Sequence, residues 1–523
     1  MTATSKDHNS GASQTAPQNL GQLLSQRVAA SPEKIFLISE NDGRRFTYAQ
    51  FQQAVGRVVR LLNSHDVGKG DVVGLLMPNS AEYIIAYYAC WQLGALAGPI
   101  NSLLKEEEIS FVLNNSAAKA ILVHSEFLPR LENIRKDLPQ LQSVILFDDE
   151  REATRDVANS IAADAASPNI SADDEAIIIY TSGTTGKPKG CLLTHGNLIA
   201  NAQQISEWLQ FTKDDRLLSI MPLFHMNAVS VTTMSALYAG GSTVVSPKFS
   251  ASRFWQIISD YEITSFGSVA TMLSMLLSSY PEGVPPGLKT DQLRFAMCGS
   301  APVPAEVMQR FEETFKCLVI EGYGLSESTC RSTFNPPDKR RRAGSCGIPI
   351  GNEMRVVDEE DNDVPAGELG EIVMRGENIL KGYYRNEEAT AVAFRNGWFH
   401  TGDIGYRDAD GFFYIVDRKS DMIIRGGENI YPREIDEVLY QHPAVVAAAT
   451  IGVPDPLYGE DVAAFVVLKE GKSGSEEELI AYCREHLADY KTPKTIRIVE
   501  TIPKGPTGKL LKRELAKQFQ TSK

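Results

Sequence analysis

The stretch from Tyr180 to Gly190 reads Y-T-S-G-T-T-G-K-P-K-G and is the densest concentration of phosphate-binding residue types in the 523-residue chain. Thr181, Ser182, Thr184 and Thr185 supply hydroxyls, and Lys187 and Lys189 supply positive charge. Gly183, Gly186 and Gly190 supply backbone freedom that other residues lack. The apolar, β-branched run Ala176-Ile177-Ile178-Ile179-Tyr180 just before it predicts a buried strand. A strand that opens into glycines, hydroxyls and lysines is how a chain wraps backbone N–H groups and side-chain donors around phosphates. The loop is not a Walker A motif, which needs G-x-x-x-x-G-K followed by Ser or Thr. Here Gly183 and Gly186 are too close together, and Pro188 follows Lys187.

Other stretches carry chemistry that suits the same kind of ligand. Met297-Cys298-Gly299-Ser300-Ala301 ends a strand in small residues, which let a flat ring approach the backbone. In Glu321-Gly322-Tyr323-Gly324-Leu325-Ser326-Glu327, Tyr323 lies between two glycines and reads as an exposed aromatic on a flexible turn, suited to stacking on a base. Glu327 is a hard oxygen ligand able to hold Mg²⁺ against phosphates. In His400-Thr401-Gly402-Asp403, the carboxylate of Asp403 can accept both vicinal hydroxyls of a ribose. His225, in Pro222-Leu223-Phe224-His225, precedes an apolar helical run from Ala228 to Leu237. Taken singly, each of these also reads as an ordinary turn, a packed histidine or a solvated carboxylate.

Taken together and in this order, the motifs resemble the signature set of the acyl-adenylate-forming superfamily. That superfamily comprises acyl-CoA synthetases, adenylation domains of peptide synthetases and firefly-type luciferases. The resemblance implies that Thr181, Ser182, Gly183, Thr184, Thr185, Gly186 and Lys189 hold ATP phosphates. It implies that Gly299, Ser300 and Ala301 line the adenine, together with Glu321, Gly322, Tyr323 and Gly324. Ser326 then contacts phosphate, Glu327 binds Mg²⁺, and Asp403 and Arg418 hold the ribose or phosphate. His225 is implied beside the acyl carboxylate. Ser420, in Asp417-Arg418-Lys419-Ser420-Asp421, aligns with a hinge. Arg425, Gly426 and Gly427 resemble the loop that flanks the pantetheine channel. The spacing of Ile502-Pro503-Lys504-Gly505-Pro506-Thr507-Gly508-Lys509 matches the last family motif, so Lys509 is implied to reach the reacting carboxylate and the α-phosphate.

The implied activity has two steps. A carboxylate attacks the α-phosphate of ATP to give acyl-AMP, with pyrophosphate leaving. The small domain then turns, and the thiol of coenzyme A takes the acyl group. Lys189 and its loop then act as a clamp on the β- and γ-phosphates, not as the carrier of the chemical step. ATP, Mg²⁺ and coenzyme A are the expected cofactors. A carrier-protein thiol is the alternative acceptor; a luciferase-type oxygenase uses the same motifs, and an adenylate-binding protein without catalysis is the third reading. The walls of the acid pocket are expected from the helix after His225, from Ser265-Phe266-Gly267 and from Ser328-Thr329-Cys330-Arg331. Arg331 is unusual where apolar residues would suit an alkyl chain, so it either meets a second polar group on a short acid or points to solvent.

The remainder of the sequence supplies the frame. Length alone suggests more than one domain. Strands predicted at 72–76, 120–123, 176–180, 217–221, 243–246 and 294–298 alternate with helices, among them 81–93 and 304–315, as in a layered α/β fold. Residues 350–416 hold short strands and tight turns and predict a small β-barrel or sheet. The expected organisation is a disordered tail at 1–17, a large N-terminal domain of layered α/β subdomains at 18–416, a hinge at 417–421 and a small, mobile C-terminal α+β domain at 422–523. A net charge of −14 argues against a nucleic-acid surface. Seven scattered cysteines without a Cys-x-x-Cys predict free thiols in a reducing compartment. No signal peptide or membrane-spanning run is read, so a cytoplasmic enzyme is the expectation. Oligomeric state is not readable from one chain, and a homodimer stays open.

Overall fold

The computed structural model describes residues 16–157, 168–181, 188–300, 303–503 and 510–521. Two seven-stranded sheets make the main body. In the first, the strands run in the order Leu318–Glu321, Phe295–Cys298, Ser265–Ser268, Arg216–Ser219, Ser242–Val245, Ile35–Ser39 and Arg45–Thr47. All neighbours are parallel except the last pair. In the second, the order is Gly382–Tyr383, Lys189–Thr194, Glu175–Thr181, Leu96–Pro99, Val72–Leu76, Ala120–Val123 and Ser143–Leu146. The predicted strand at 176–180 is therefore half of an antiparallel hairpin with Lys189–Thr194, in register from Ile177↔Leu193 to Thr181↔Lys189, with a shift between Glu175 and Ile177.

The helix Ala81–Leu93 joins the two sheets. Every residue of it is buried except Gln92. Its sequence, A-E-Y-I-I-A-Y-Y-A-C-W-Q-L, lacks a polar face, which is what a helix enclosed on all sides requires. Ser80 caps its N-terminus by accepting the Tyr83 N–H at 3.2 Å, and Gly94, at φ +72°, ends it in the left-handed region. Three polar tips at four-residue spacing each find a backbone carbonyl. Tyr83 donates to Leu75 at 3.3 Å, Tyr87 to Leu223 at 2.7 Å and Trp91 to Ala176 at 2.9 Å. Glu82, buried in the same helix, pairs with Arg44 at 2.7 Å.

Residues Glu353–Arg418 contribute the small sheet expected there, a five-stranded antiparallel one. The chain then forms a second five-stranded sheet built on Val445–Asp455 and Gly459–Leu468, with the helices Pro432–Gln441 and Glu476–His486 packed on it. The fold is mixed α/β with a large N-terminal and a small C-terminal part. All seven cysteines are buried and unpaired. Among the described residues no helix is long and apolar enough to cross a membrane.

One expected element differs. The helix predicted at 228–237 is a π-helix over Asn227–Met234 followed by a short α-helix, Ser235–Ala239. Thr232 and Thr233 both donate their hydroxyls to the Ala228 carbonyl, and Ser235 donates to Ser230. These side-chain bonds compete with the i→i+4 ladder and widen the turn.

Because the Ala81–Leu93 helix is enclosed, truncating it leaves a cavity that nothing can fill. Trp91→Ala is expected to lower stability by about 3–5 kcal/mol, and Tyr87→Phe by about 1 kcal/mol through the orphaned Leu223 carbonyl. Urea unfolding followed by circular dichroism measures both, and a Trp91→Ala loss below that for Tyr87→Phe would contradict the enclosure.

Candidate active site

The nucleotide-binding residue types gather at the strand ends of the two main sheets. Gly382–Tyr383 adds to the edge of the Lys189–Thr194 strand, pairing Tyr383 with Cys191. This places the Lys189 ammonium 5.1 Å above the Tyr383 ring. The Tyr383 hydroxyl in turn donates to Glu327 Oε1 at 3.1 Å. Glu327, in the 3₁₀ turn Ser326–Ser328, is also held through its carbonyl, which accepts the Leu380 N–H at 2.7 Å. So two residues expected at one site, Lys189 and Glu327, meet through Tyr383. Nothing in the sequence marked Tyr383 beyond the aromatic pair Tyr383-Tyr384 after Gly382. Ser182, Gly183, Thr184, Thr185, Gly186, Ala301 and Lys509 lie outside the described residues.

Asp403 forms a second focus. It is buried in the long strand Trp398–Arg407, opposite Arg418 in register. Its Oδ2 accepts the Tyr323 hydroxyl at 2.6 Å, and its Oδ1 lies 3.1 Å from Arg418 Nε. Burial disfavours a charged Arg418, yet the facing Asp403 carboxylate, with Tyr323 and Glu327 nearby, keeps its pKa raised. Burial, and then the same carboxylate, raise the Tyr323 phenol well above its ordinary value. Tyr323 is therefore a half-buried, anchored ring and not the exposed aromatic on a flexible turn that the sequence suggested. Its flanking glycines serve close packing. A Cβ at Gly322 would stand 2.5 Å from the Phe334 ring, and one at Gly324 would run into the Cys330 carbonyl.

The stretch that follows is strained. Thr329 has φ +66°, a conformation costly for a β-branched residue. It is buried, and its hydroxyl donates to the Asn378 carbonyl at 2.7 Å. Ser300, beside the candidate adenine positions, has φ +71°. Two residues after Thr329, Arg331 is only 2% exposed, so the solvent-facing alternative is ruled out. Its guanidinium lies against Gly299, where a Cβ would fall 2.5 Å from Nη2. It also lies over the Phe334 ring, 5.5 Å from the centroid.

On the other side, the His225 ring lies tilted by 58° against Phe224 with centroids 4.6 Å apart, and its Nε2 is buried without a hydrogen-bond partner. Burial pushes its pKa down to about 4, so the ring is neutral at pH 7. Asn227 opens the π-helix with both amide atoms buried and unpartnered.

The remaining expected residues belong to the C-terminal sheet and the segment before it. Ser420 is exposed and its hydroxyl donates to Asp421 at 3.2 Å. Gly426 and Gly427, at φ +61° and +92°, form the two-residue turn of the hairpin Ile423–Arg425 and Glu428–Ile430. Arg425 is bound within the small domain, 3.0 Å from Asp461 and donating to the Tyr490 carbonyl at 2.8 Å.

Glu321 ends its strand with Oε1 accepting the Val303 N–H at 3.1 Å and Oε2 buried without a partner. Burial pushes its pKa up to about 7. The folded-state value lies above the unfolded one, so this group's contribution to stability is full at low pH and is lost as pH rises through 7. Glu321→Gln is therefore expected to raise the melting temperature more at pH 8 than at pH 5, and equal shifts at both would contradict the assignment.

Comparison with known proteins bears on the same residues. The AMP-binding enzyme family is matched over residues 24–384, and its C-terminal domain over 434–509. The chain is 38% identical to a sulfoacetate–CoA ligase of Cupriavidus necator over 512 residues, covering 95% of this chain and 97% of that one. It is 35% identical to an oxalate–CoA ligase of Arabidopsis thaliana, covering 90% and 93%. Among solved structures, o-succinylbenzoate CoA synthetase from Bacillus subtilis with its acyl-adenylate intermediate superposes with a TM-score of 0.83 at 34% identity, covering 95% and 98%. ATP-bound MatB from Rhodopseudomonas palustris does so with a TM-score of 0.88 at 29% identity, covering 96% and 99%. The chain thus belongs to the AMP-binding enzyme family and is an AMP-forming acid–thiol ligase.

Proposed function

We propose that this ligase activates a small polar carboxylic acid as acyl-AMP and passes the acyl group to coenzyme A. The observation that carries the reading is the junction of Lys189, Tyr383 and Glu327 beside the Tyr323–Asp403–Arg418 cluster. One group faces a triphosphate with positive charge and a hard carboxylate. The other offers a carboxylate to a ribose.

A carboxylate is a poor electrophile because its leaving group would be an oxide. Attack of its oxygen on the α-phosphorus forms the C–O–P bond and expels pyrophosphate. The residues act mainly by positioning and by meeting the charge that develops on phosphate oxygens. Lys189 holds the outgoing phosphates. A single carboxylate with a neighbouring phenol fits Mg²⁺, which takes few protein ligands and completes its shell with phosphate oxygens and water. Glu327 would hold it, and the ion when bound neutralises charge on the phosphates. His225, neutral, borders the acid without adding charge. Lys509 is assigned to the reacting carboxylate and α-phosphate on its motif alone.

Thioester formation needs the second face of the small domain. The domain boundary is proposed at 417–421, with Ser420 as the hinge and Arg425-Gly426-Gly427 flanking the channel for the thiol. There the thiol sulfur forms a C–S bond at the acyl carbonyl, the acyl C–O bond breaks, AMP leaves with its electron pair, and the thiol proton is released to solvent. Relatives named for sulfoacetate, oxalate and 2-succinylbenzoate support a polar acid. One named for long-chain fatty acids favours an alkyl acid, but a buried guanidinium in the expected acid pocket opposes it.

Acid-dependent ATP–pyrophosphate exchange, followed by thioester formation on adding coenzyme A, tests the reaction; exchange without any thioester would sink the coenzyme A assignment. Lys189→Ala is expected to slow exchange by about 10²-fold or more while leaving thioester formation from preformed acyl-AMP within a few-fold. Equal losses in both half-reactions would remove Lys189 from the phosphates.

A further inference from the structure

Arg331 makes no close ion pair among the described residues, and the carboxylate that acts on it, Glu321, does so only at longer range. Arg331 is 2% exposed. Nε and Nη2 make no hydrogen bond, and no carboxylate lies within 4 Å of it among the described residues. A lone buried guanidinium is costly, and the Phe334 face offsets only part of that cost. The backbone nevertheless fixes it in place from several sides. The Arg331 carbonyl accepts the Asn201 amide at 2.6 Å and the Asn378 amide at 3.4 Å. Asn201 also accepts the Ser230 hydroxyl at 2.9 Å, which ties the Arg331 segment to the π-helix.

The geometry around it is that of a binding site. Ser265–Ser268 and Phe295–Cys298 are neighbouring parallel strands in which Gly267 pairs with Met297. Gly299 follows two residues after Met297, so Gly267 and Gly299 look to the same face of the sheet at its carboxyl end. A Cβ at Gly299 would meet the Arg331 guanidinium, and one at Gly267 would stand 3.2 Å from Asn227 Oδ1. Both side chains thus lie over one face, above positions on the order of 8 Å apart. Both present unpartnered buried polar atoms, and so does His225.

We infer that Arg331, with the Asn227 amide beside it, is a subsite for a second anionic group on the acid, a carboxylate or sulfonate, so that the enzyme selects short dianionic acids over monoanionic ones. This rests on the ligase reading above. The reacting carboxylate is a poorer candidate for Arg331, because a bidentate guanidinium would hold back the charge that must attack phosphorus.

The test is pyrophosphate release by the full chain with paired acids: malonate against propionate, succinate against butyrate, and 3-sulfopropionate against butyrate. The wild-type enzyme is expected to favour at least one dianion over its partner by about 10²-fold or more in kcat/KM. Arg331→Met is expected to lose about 10²–10³-fold on that dianion and to change the monoanion less than about 5-fold, with the KM for ATP unmoved. Monoanions used as well as or better than their dianionic partners would overturn the subsite while leaving the ligase reading intact. So would equal losses on both, or a raised KM for ATP, which would assign Arg331 to the nucleotide. No release with any acid would overturn the ligase reading itself. The wild-type ratio needs no variant, so poor folding of Arg331→Met leaves the test standing.

Discussion

The Ala81–Leu93 helix is the constraint from which the rest of the architecture follows. It is enclosed on every side, and its three polar tips end on carbonyls of Leu75, Ala176 and Leu223. Two of these belong to the second sheet and the third to the segment leaving the first. One rigid rod therefore sets how the carboxyl ends of the two sheets face one another. The hairpin that carries Lys189 and the π-helix that carries Asn227 both hang from those carbonyls. Burial of polar groups makes the arrangement specific, because shifting the rod would strand the buried Tyr83, Tyr87 and Trp91 donors away from their carbonyls.

Within that frame, the site is made rigid by crowding and strain. Gly322 and Gly324 admit the Phe334 ring and the Cys330 carbonyl. Thr329 is held at positive φ by its bond to Asn378. The local cost is offset by hydrogen bonds that a relaxed turn would lose, and the result is a turn that sends Glu327 toward Tyr383 and Arg331 inward. Asn201 links that turn to the π-helix, so the segments that carry Arg331 and Asn227 share one support.

Much of this was legible in the residues. Apolar β-branched runs gave the central strands and the 81–93 pattern gave a helix, while the enclosure of that helix, with Glu82 buried against Arg44, emerged only in the fold. Lys189, Glu327, Asp403 and Arg418 stood in motifs whose spacing survives folding. Other features were hidden because they depend on contacts between distant segments. Tyr383 matters through an edge pairing with Cys191 that no local pattern encodes. The π-helix arises from hydroxyl bonds of Thr232, Thr233 and Ser235, residues that a periodicity count treats as neutral. Tyr323 looked mobile because two glycines flank it, yet those glycines exist to be crowded. The fate of Arg331 could not be decided from its neighbours in sequence, since Gly299, which makes room for it, is thirty-two positions away.

The strand Phe413–Arg418 ends with two charged residues of opposite duty. Arg418 turns inward to Asp403, while Asp417 turns outward, accepting the Arg433 N–H at 2.9 Å and lying 3.9 Å from Lys512. Alternation along a strand sends neighbours to opposite faces. A rotation that begins beyond Arg418, as proposed above, would have to peel Arg433 and Lys512 from Asp417, and it would also strain the Lys419 N–H bond to the Gly402 carbonyl, next to Asp403. In the proposed reaction the strand would act as a coupling: turning the small domain on its outer side would tug, through Lys419 and Gly402, at the strand that carries Asp403. An adenylate bound by Asp403 on that reading would feel the swing through this one backbone bond, so that the arrival of the second substrate and the grip on the nucleotide would be linked.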